Sequence, residues 1–282
     1  MVPLRLQPLC EPWPRSRRRG VLVLLALFGL VFGSRSLPAW GEPEQRFSHE
    51  AWGEVLEAFV DDQGLVDYAG LRDSDDRLRA YLEQIHQRGP ANAPHLFPDR
   101  DHQLAYYINA YNALVFEGVL SKGPGLKSVW GWTGTGFGFF FAMDVEVEGR
   151  TTNLKNFEDD VIREGFQDPR IHAALNCASR GCPRLPRQPF LGAELDQQLD
   201  TAMTEFVTDP RHVRVDVKAR TVAFSQIFDW FREDFLSYER GQGSEEPNLL
   251  TYVNRYRPDG QKIPADFRVE FLDYDKSLNA QR

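Results

Sequence analysis

His102-Gln103-Leu104-Ala105-Tyr106-Tyr107-Ile108-Asn109-Ala110-Tyr111-Asn112-Ala113-Leu114-Val115-Phe116-Glu117-Gly118-Val119-Leu120 is the most regular stretch of the chain. Leu104, Tyr107, Ile108, Tyr111, Leu114, Val115 and Gly118 recur at helical spacing along one stripe. Tyr106, Ala110, Ala113 and Phe116 nearly close the circle, and a helix apolar on most of its sides is a buried one. Asn109 and Asn112 sit three apart on one face of it, so both amides must find partners inside the fold. The spacing therefore predicts a central helix around which the rest packs.

Working outward, Ser48–Val60 reads as an amphipathic helix with Ser48 as N-cap, Leu65–Tyr68 as a short extended piece, and Asp73–His86 as a second helix. Gly89–Pro98 is rich in Pro and Asn and reads as loop. Trp130–Phe141 is Gly- and aromatic-rich, with no Lys-Ser/Thr after its glycines, which excludes a phosphate loop. Met143–Val147 alternates as a strand, Gly149-Arg150 is the turn, and Asn153 caps a helix to about Gly165. Arg170–Asn176 is expected as a second strand and Gly192–Thr208 as a helix. Val213–Val217 with Thr221–Phe224 is expected as a hairpin, Ser225–Phe235 and Asn248–Tyr256 as helices, and Val269–Leu272 as a last strand. Helices and hairpins mix without a βαβ rhythm. The expected class is α+β, a single mostly helical domain with a small mixed or antiparallel sheet and a hairpin.

The first forty residues differ from the rest. Arg15, Arg17, Arg18 and Arg19 form a basic block before an apolar run from Val21 to Phe32, with Ala39 and Gly41 beyond. The run falls short of the roughly 17–25 residues of a spanning helix and suits a secretory signal peptide over residues 1–41. Arg18-Arg19 gives it a twin-arginine look. The alternative is an uncleaved inner-membrane anchor at residues 20–33. The expectation is a periplasmic or secreted globular domain over residues 42–282, touching membrane only through that N-terminal segment. Removing residues 1–41 leaves 27 Lys+Arg against 40 Asp+Glu, a net charge of −13. That acidity argues against sequence-independent nucleic-acid binding, which needs a basic face. Nothing in the sequence implies a cofactor, and the partner is unknown.

Chemistry is expected around His172–Pro183. With Cys10 gone, Cys177 and Cys182 remain, and an even count in an oxidising compartment suggests a disulfide. On a helix, five residues rise about 7.5 Å and turn the chain by about 140°. A bridge needs Cα atoms about 4.4–6.8 Å apart. Bonding therefore requires a turn, which Gly181 and Pro183 permit. The alternative is a working thiol with His172 as its base. If residues 171–176 stay extended, His172 and Cys177 lie about 16 Å apart on opposite faces, so this pairing too needs a reversal after Asn176. Zinc held by His172, Cys177 and Cys182 is a third reading, short of a second Cys/His pair, and no metal site is assigned. His49, His86, His95 and His212 read as solvated, and His102 as a structural group near Asn109.

Tyr107–Ala113, Asp168–Ser179, Cys182-Pro183 and Phe271–Asp275 together resemble the domain of unknown function 547 family, over about Leu65 to Asn279. Members usually end Asp-Trp-Ser-Leu-Asn, where this chain has Asp275-Lys276-Ser277-Leu278-Asn279. The family has no settled activity. Relatives fused to a glutaredoxin-like module imply thiol chemistry, and plant relatives with a leucine zipper imply protein interaction. The family's acid falls at Glu158, followed here by Asp159 rather than His. Glu158 is expected either to orient His172 or to pair with Arg163 or Arg170.

Two readings of different class result. In the first, the chain is a cysteine-dependent envelope enzyme, either a thiol–disulfide oxidoreductase or a papain-like hydrolase or acyltransferase. Cys177 is then the nucleophile, Cys182 the resolving thiol, His172 the base, and Glu158, Asn109 and Asn112 orienting groups, with Asn176 and Arg170 as further binding candidates. In the second, it is a binding or structural module whose Cys177–Cys182 bridge closes a turn.

Overall fold

The computed structural model describes residues 46–130 and 138–281. Within them come α1 (Glu50–Phe59), α2 (Tyr68–Asp73), α3 (Asp76–Gln87) and the long α4 (Arg100–Ser121), then α5 (Gly138–Ala142), β1 (Asp144–Val147) and β2 (Arg150–Asn153). α6 (Leu154–Asn156) and α7 (Glu164–Phe166) flank a π-helical turn at Phe157–Arg163, and a 3-10 turn follows at Pro169–Ala173. α8 (Leu195–Thr208), β3 (Val213–Asp216), β4 (Thr221–Phe224), α9 (Gln226–Trp230), α10 (Arg232–Gly241), α11 (Leu249–Tyr256) and β5 (Arg268–Phe271) complete the order. The class is α+β and mostly helical. One sheet is the antiparallel pair β1–β2, and the other is mixed, with β4 antiparallel to β3 and parallel to β5.

The central helix forms as its spacing requires. Asp99 caps it by accepting the His102 N–H at 2.9 Å. Ala105, Tyr106, Ile108 and Leu114 point to different sides and are all fully buried. His102 turns its Nδ1 back onto the Asp99 carboxylate at 2.7 Å, a capping role rather than a cavity one.

Elsewhere the chain departs from the sequence reading for local reasons. Arg150–Asn153 is a strand, because Glu148 and Gly149 both adopt positive φ (57° and 73°) and make a two-residue hairpin turn. The turn thus falls one residue earlier than Gly149-Arg150. Arg170–Asn176 is not a strand: Pro169 opens a 3-10 turn and Asp168 caps it through the Arg170 N–H at 2.9 Å. His49 is half-buried with its Nδ1 against the Tyr81 hydroxyl at 2.8 Å, and His212 is buried against Phe206, so neither is a solvated histidine. The expected export signal, residues 1–41, and most of the Gly- and aromatic-rich segment, residues 131–137, lie outside the described residues. No helix among the described residues is long and apolar enough to cross a membrane.

Two apolar clusters make the core. One surrounds α4, α1 and α3, with Trp52, Tyr81 and Phe116 fully buried. The other joins the mixed sheet to α8 through α11, around Phe206, Phe228 and Tyr252. Ala173 belongs to the second cluster and Ala174, Leu175 and Ala178 to the first, while Tyr274 packs against both. The segment that carries the cysteines therefore runs along the seam between the clusters.

Candidate active site

The cysteine loop is built by amides. Asn112, on α4, donates to the Ala174 carbonyl at 3.0 Å and accepts the Asn176 N–H at 2.9 Å, which fixes the chain where it leaves the 3-10 turn. The Asn176 side chain then donates to the Pro183 carbonyl at 3.0 Å and accepts the Ala178 N–H at 2.9 Å, drawing the loop's two ends together. Asn279 donates to the Asn176 amide oxygen at 3.2 Å and accepts the Tyr68 hydroxyl at 2.9 Å. Between these ties Ala178 adopts φ 60°, a left-handed conformation that costs a residue with a Cβ. The Cys182 N–H closes a turn on the Ser179 carbonyl at 3.0 Å.

The C-terminal segment straps this loop down. Gly181 and Arg180 donate their N–H groups to the carbonyls of Asp275 and Ser277, each at 2.9 Å, and the Asn279 N–H reaches the Ala178 carbonyl at 3.1 Å. Tyr274 lies over Gly181, where a Cβ would come within 2.8 Å of the ring. That close approach is what the glycine permits.

Cys177 and Cys182 are free thiols, Cys177 half-buried and Cys182 buried. Their sulfurs stand 2.6 Å apart, within hydrogen-bond reach and beyond the bonded distance of about 2.05 Å. The Tyr274 hydroxyl lies 3.1 Å from the Cys177 Sγ and 3.2 Å from the Cys182 Sγ, so one phenol serves both. Ser179 Oγ, itself held by Trp130 Nε1 at 2.7 Å, is 3.6 Å from Cys177. Burial pushes the Cys177 thiol up, but its hydrogen bonds to Cys182, Tyr274 and Ser179 outweigh burial and hold it below its ordinary value. Burial and the adjoining Cys177 sulfur push Cys182 well above its own, although it accepts the Cys177 N–H at 3.1 Å. The pair thus divides into an accessible sulfur that ionises first and a buried one that keeps its proton.

Both sulfurs open onto a cavity of about 70 Å³ whose walls are aromatic: Trp130, Phe140, Trp230, Phe231 and Tyr274. Trp230 is 39% exposed and forms the rim, packed on Trp130 and Tyr274. The polar lining comes from Lys155, Glu158 and His172. Glu158 projects from the π-helical turn and accepts the Tyr111 hydroxyl at 3.2 Å. Burial pushes its carboxyl up to about 7, with the Lys155 charge opposing. Such single π turns are frequent at functional sites.

His172 is brought to the same cavity but not to sulfur. Its Nε2–H donates to Asp234 Oδ2 at 2.7 Å, and its ring stacks on Phe231 at 4.1 Å. Arg163 holds the same carboxylate at 2.9 and 3.0 Å. Burial lowers the imidazole's pKa against the pull of Asp234, leaving it neutral, with Nδ1 as the nitrogen able to accept a proton. The orienting acid is Asp234, from α10, and not Glu158. The expected Cys–His hydrogen bond is not made: the sulfurs bond to each other, to the Tyr274 hydroxyl, to Ser179 and to the Cys177 N–H, and not to the imidazole. His172 is likewise not positioned with the two sulfurs as a metal ligand, and among the described residues no group of three His, Cys, Asp or Glu is placed to hold a metal.

The remaining candidates are structural. Asn109 clasps Phe190, donating to its carbonyl at 2.7 Å and accepting its N–H at 3.0 Å, away from the cavity. Arg170 ties Asp168 to Asp196 and Asp200 on α8. Asn112 and Asn176 shape the loop without facing a ligand. Sequence reasoning passed over Tyr111, Ser179, Asp234 and Tyr274 as site residues. Tyr274 stood inside the quoted motif Phe271–Asp275, which was its one available signal.

Searches of curated proteins and of solved structures gave no match. Residues 96–207, a segment holding α4, Glu158, His172 and both cysteines but neither Asp234 nor Tyr274, match the family described as Protein of unknown function, DUF547.

Proposed function

We propose that the protein is a thiol–disulfide exchange protein of the cell envelope, in which Cys177 and Cys182 work as a redox dithiol. The observation that carries this reading is the contact of the two sulfurs with each other and with the single Tyr274 hydroxyl at a cavity wall. The division of the pair supports it, since exchange needs one accessible thiolate to attack and one protected thiol to resolve. Cys177 thiolate attacks a disulfide of the partner and expels one thiolate. Cys182 then attacks the Cys177 sulfur and expels the second. The protein dithiol is oxidised to a disulfide as the partner's disulfide is reduced. Export through residues 1–41 to the periplasm or beyond completes the reading, since disulfides persist there.

The papain-like variant has less support, because neither sulfur is hydrogen-bonded to an imidazole. The test is trapping. Cys182→Ser should accumulate a stable mixed disulfide between Cys177 and a disulfide-bearing peptide, whereas the native protein should release the reduced peptide. A native protein whose Cys177–Cys182 bridge forms once and exchanges with no peptide would instead mark a structural module.

A further inference from the structure

Resolution by Cys182 poses a problem that the exchange reading leaves open. The thiol is buried, and its sulfur must be deprotonated before it can displace anything from Cys177. Its neighbours are the Cys177 sulfur, the Cys177 N–H, the Ser179 backbone and the Tyr274 hydroxyl. At this step the Cys177 sulfur is already bonded in the mixed disulfide and offers no base, and burial pushes the Tyr274 phenol well above its ordinary value, so it is a poor acceptor. The proton must leave through the cavity.

We infer that Glu158 accepts the proton that Cys182 surrenders when the disulfide closes. This rests on the exchange reading. The carboxylate lines the same cavity as both sulfurs. Its Oε2 is held by Tyr111 from α4, which aims the group inward. The neighbouring cations on its own helix are paired with other carboxylates: Lys155, which also lines the cavity, and Arg163 both bind Asp159, and Arg163 continues to Asp234. The other titratable groups facing the cavity are Lys155 from α6, Tyr111 from α4, His172 from the 3-10 turn and Tyr274 from the C-terminal segment. A cavity of about 70 Å³ exceeds the roughly 10–15 Å³ needed for a water that would link carboxylate to thiol. In the step, the Cys182 S–H bond breaks and its proton passes to Glu158. The freed sulfur pair forms the bond to Cys177, and the electron pair of the cleaved mixed disulfide leaves on the partner's thiolate. The proton on Glu158 then returns to solvent.

Ellman's disulfide separates the two half-reactions, because each releases one equivalent of coloured thiolate. The full chain is reduced, freed of reductant and mixed with the reagent across pH 5–9. The first equivalent reports attack by Cys177 and the second reports closure by Cys182. In the native protein the second phase should gain rate through an inflection near the Glu158 value of about 7. Glu158→Gln keeps an acceptor for the Tyr111 hydroxyl and removes the base. It should slow the second phase by about 10²-fold, the usual worth of a positioned base, and abolish the inflection. The first phase should be unchanged or faster, since the Glu158 charge raises the Cys177 thiol. A second phase at the native rate, an inflection that survives the substitution and so points to His172, or equal slowing of both phases would overturn the inference. Release of only one equivalent by the native protein would instead overturn the exchange reading, and this inference with it.

Discussion

Asn176→Ala should destabilise the fold and loosen the cysteine loop together. The side chain is buried and makes three hydrogen bonds, to the Pro183 carbonyl, the Ala178 N–H and the Asn279 amide. The alanine methyl replaces none of them, so three polar groups lose a partner. A buried donor or acceptor left unpaired costs roughly 1–3 kcal/mol, so three of them cost about 3 kcal/mol or more. With an m-value of about 2–3 kcal/mol per molar urea, the unfolding midpoint should fall by about 1 M or more. The assay is urea titration under reducing conditions, followed by tryptophan fluorescence. Asn109→Ala is the control, since it orphans the Phe190 N–H and carbonyl in the core but leaves the loop intact. Both variants should lose stability, and only Asn176→Ala should also speed alkylation of Cys182. A midpoint within about 0.3 M of the native protein for Asn176→Ala, or equal Cys182 protection in both variants, would refute the loop-clamp argument.

Three further outcomes follow from the geometry. Tyr274→Phe removes the hydroxyl shared by the sulfurs, and Gly181→Ala pushes the ring aside. Both should move the half-point of Cys177 alkylation upward, and an unmoved half-point in both would deny the tyrosine its role. Glu158 has a folded-state value of about 7 against about 4.3 unfolded. It therefore costs stability as pH rises between those values. Glu158→Gln should equal the native protein in stability near pH 4 and exceed it at pH 8, as read by thermal melts, and a variant less stable at pH 8 would contradict this. His49 is lowered to about 3 by burial, with the His102 charge adding to the effect. Its contribution is fully present above the unfolded value of about 6.5 and is lost as pH falls toward 3. His49→Gln should flatten that part of the acid limb, which an unchanged slope would exclude.

What the sequence revealed and what it hid divide along contact range. The α4 helix was legible because its apolar residues surround it, and its two asparagines because a buried amide announces a partner. The β3–β4 hairpin was legible from local alternation. Arg170–Asn176 misled because Ile171, Ala173 and Leu175 alternate like a strand, while Pro169 and the Asp168 cap commit the segment to a 3-10 turn. The reversal at the cysteine loop stood in the sequence only as a condition for bringing the two cysteines together. Its partners did not: Asp234 reaches His172 across 62 positions and Tyr274 reaches Cys177 across 97. The π turn that presents Glu158 is a one-residue shift in hydrogen bonding with no mark in composition.

The most direct measurement of the central claim is a redox titration of the full chain. The protein is equilibrated in dithiothreitol mixtures of graded potential, quenched in acid, alkylated and weighed. A working pair predicts one reversible two-electron transition, losing two hydrogens, with a midpoint between about −300 and −120 mV, the span of exchangeable pairs. Thiols that stay reduced at every potential, or a bridge that yields only when the chain unfolds, would contradict it.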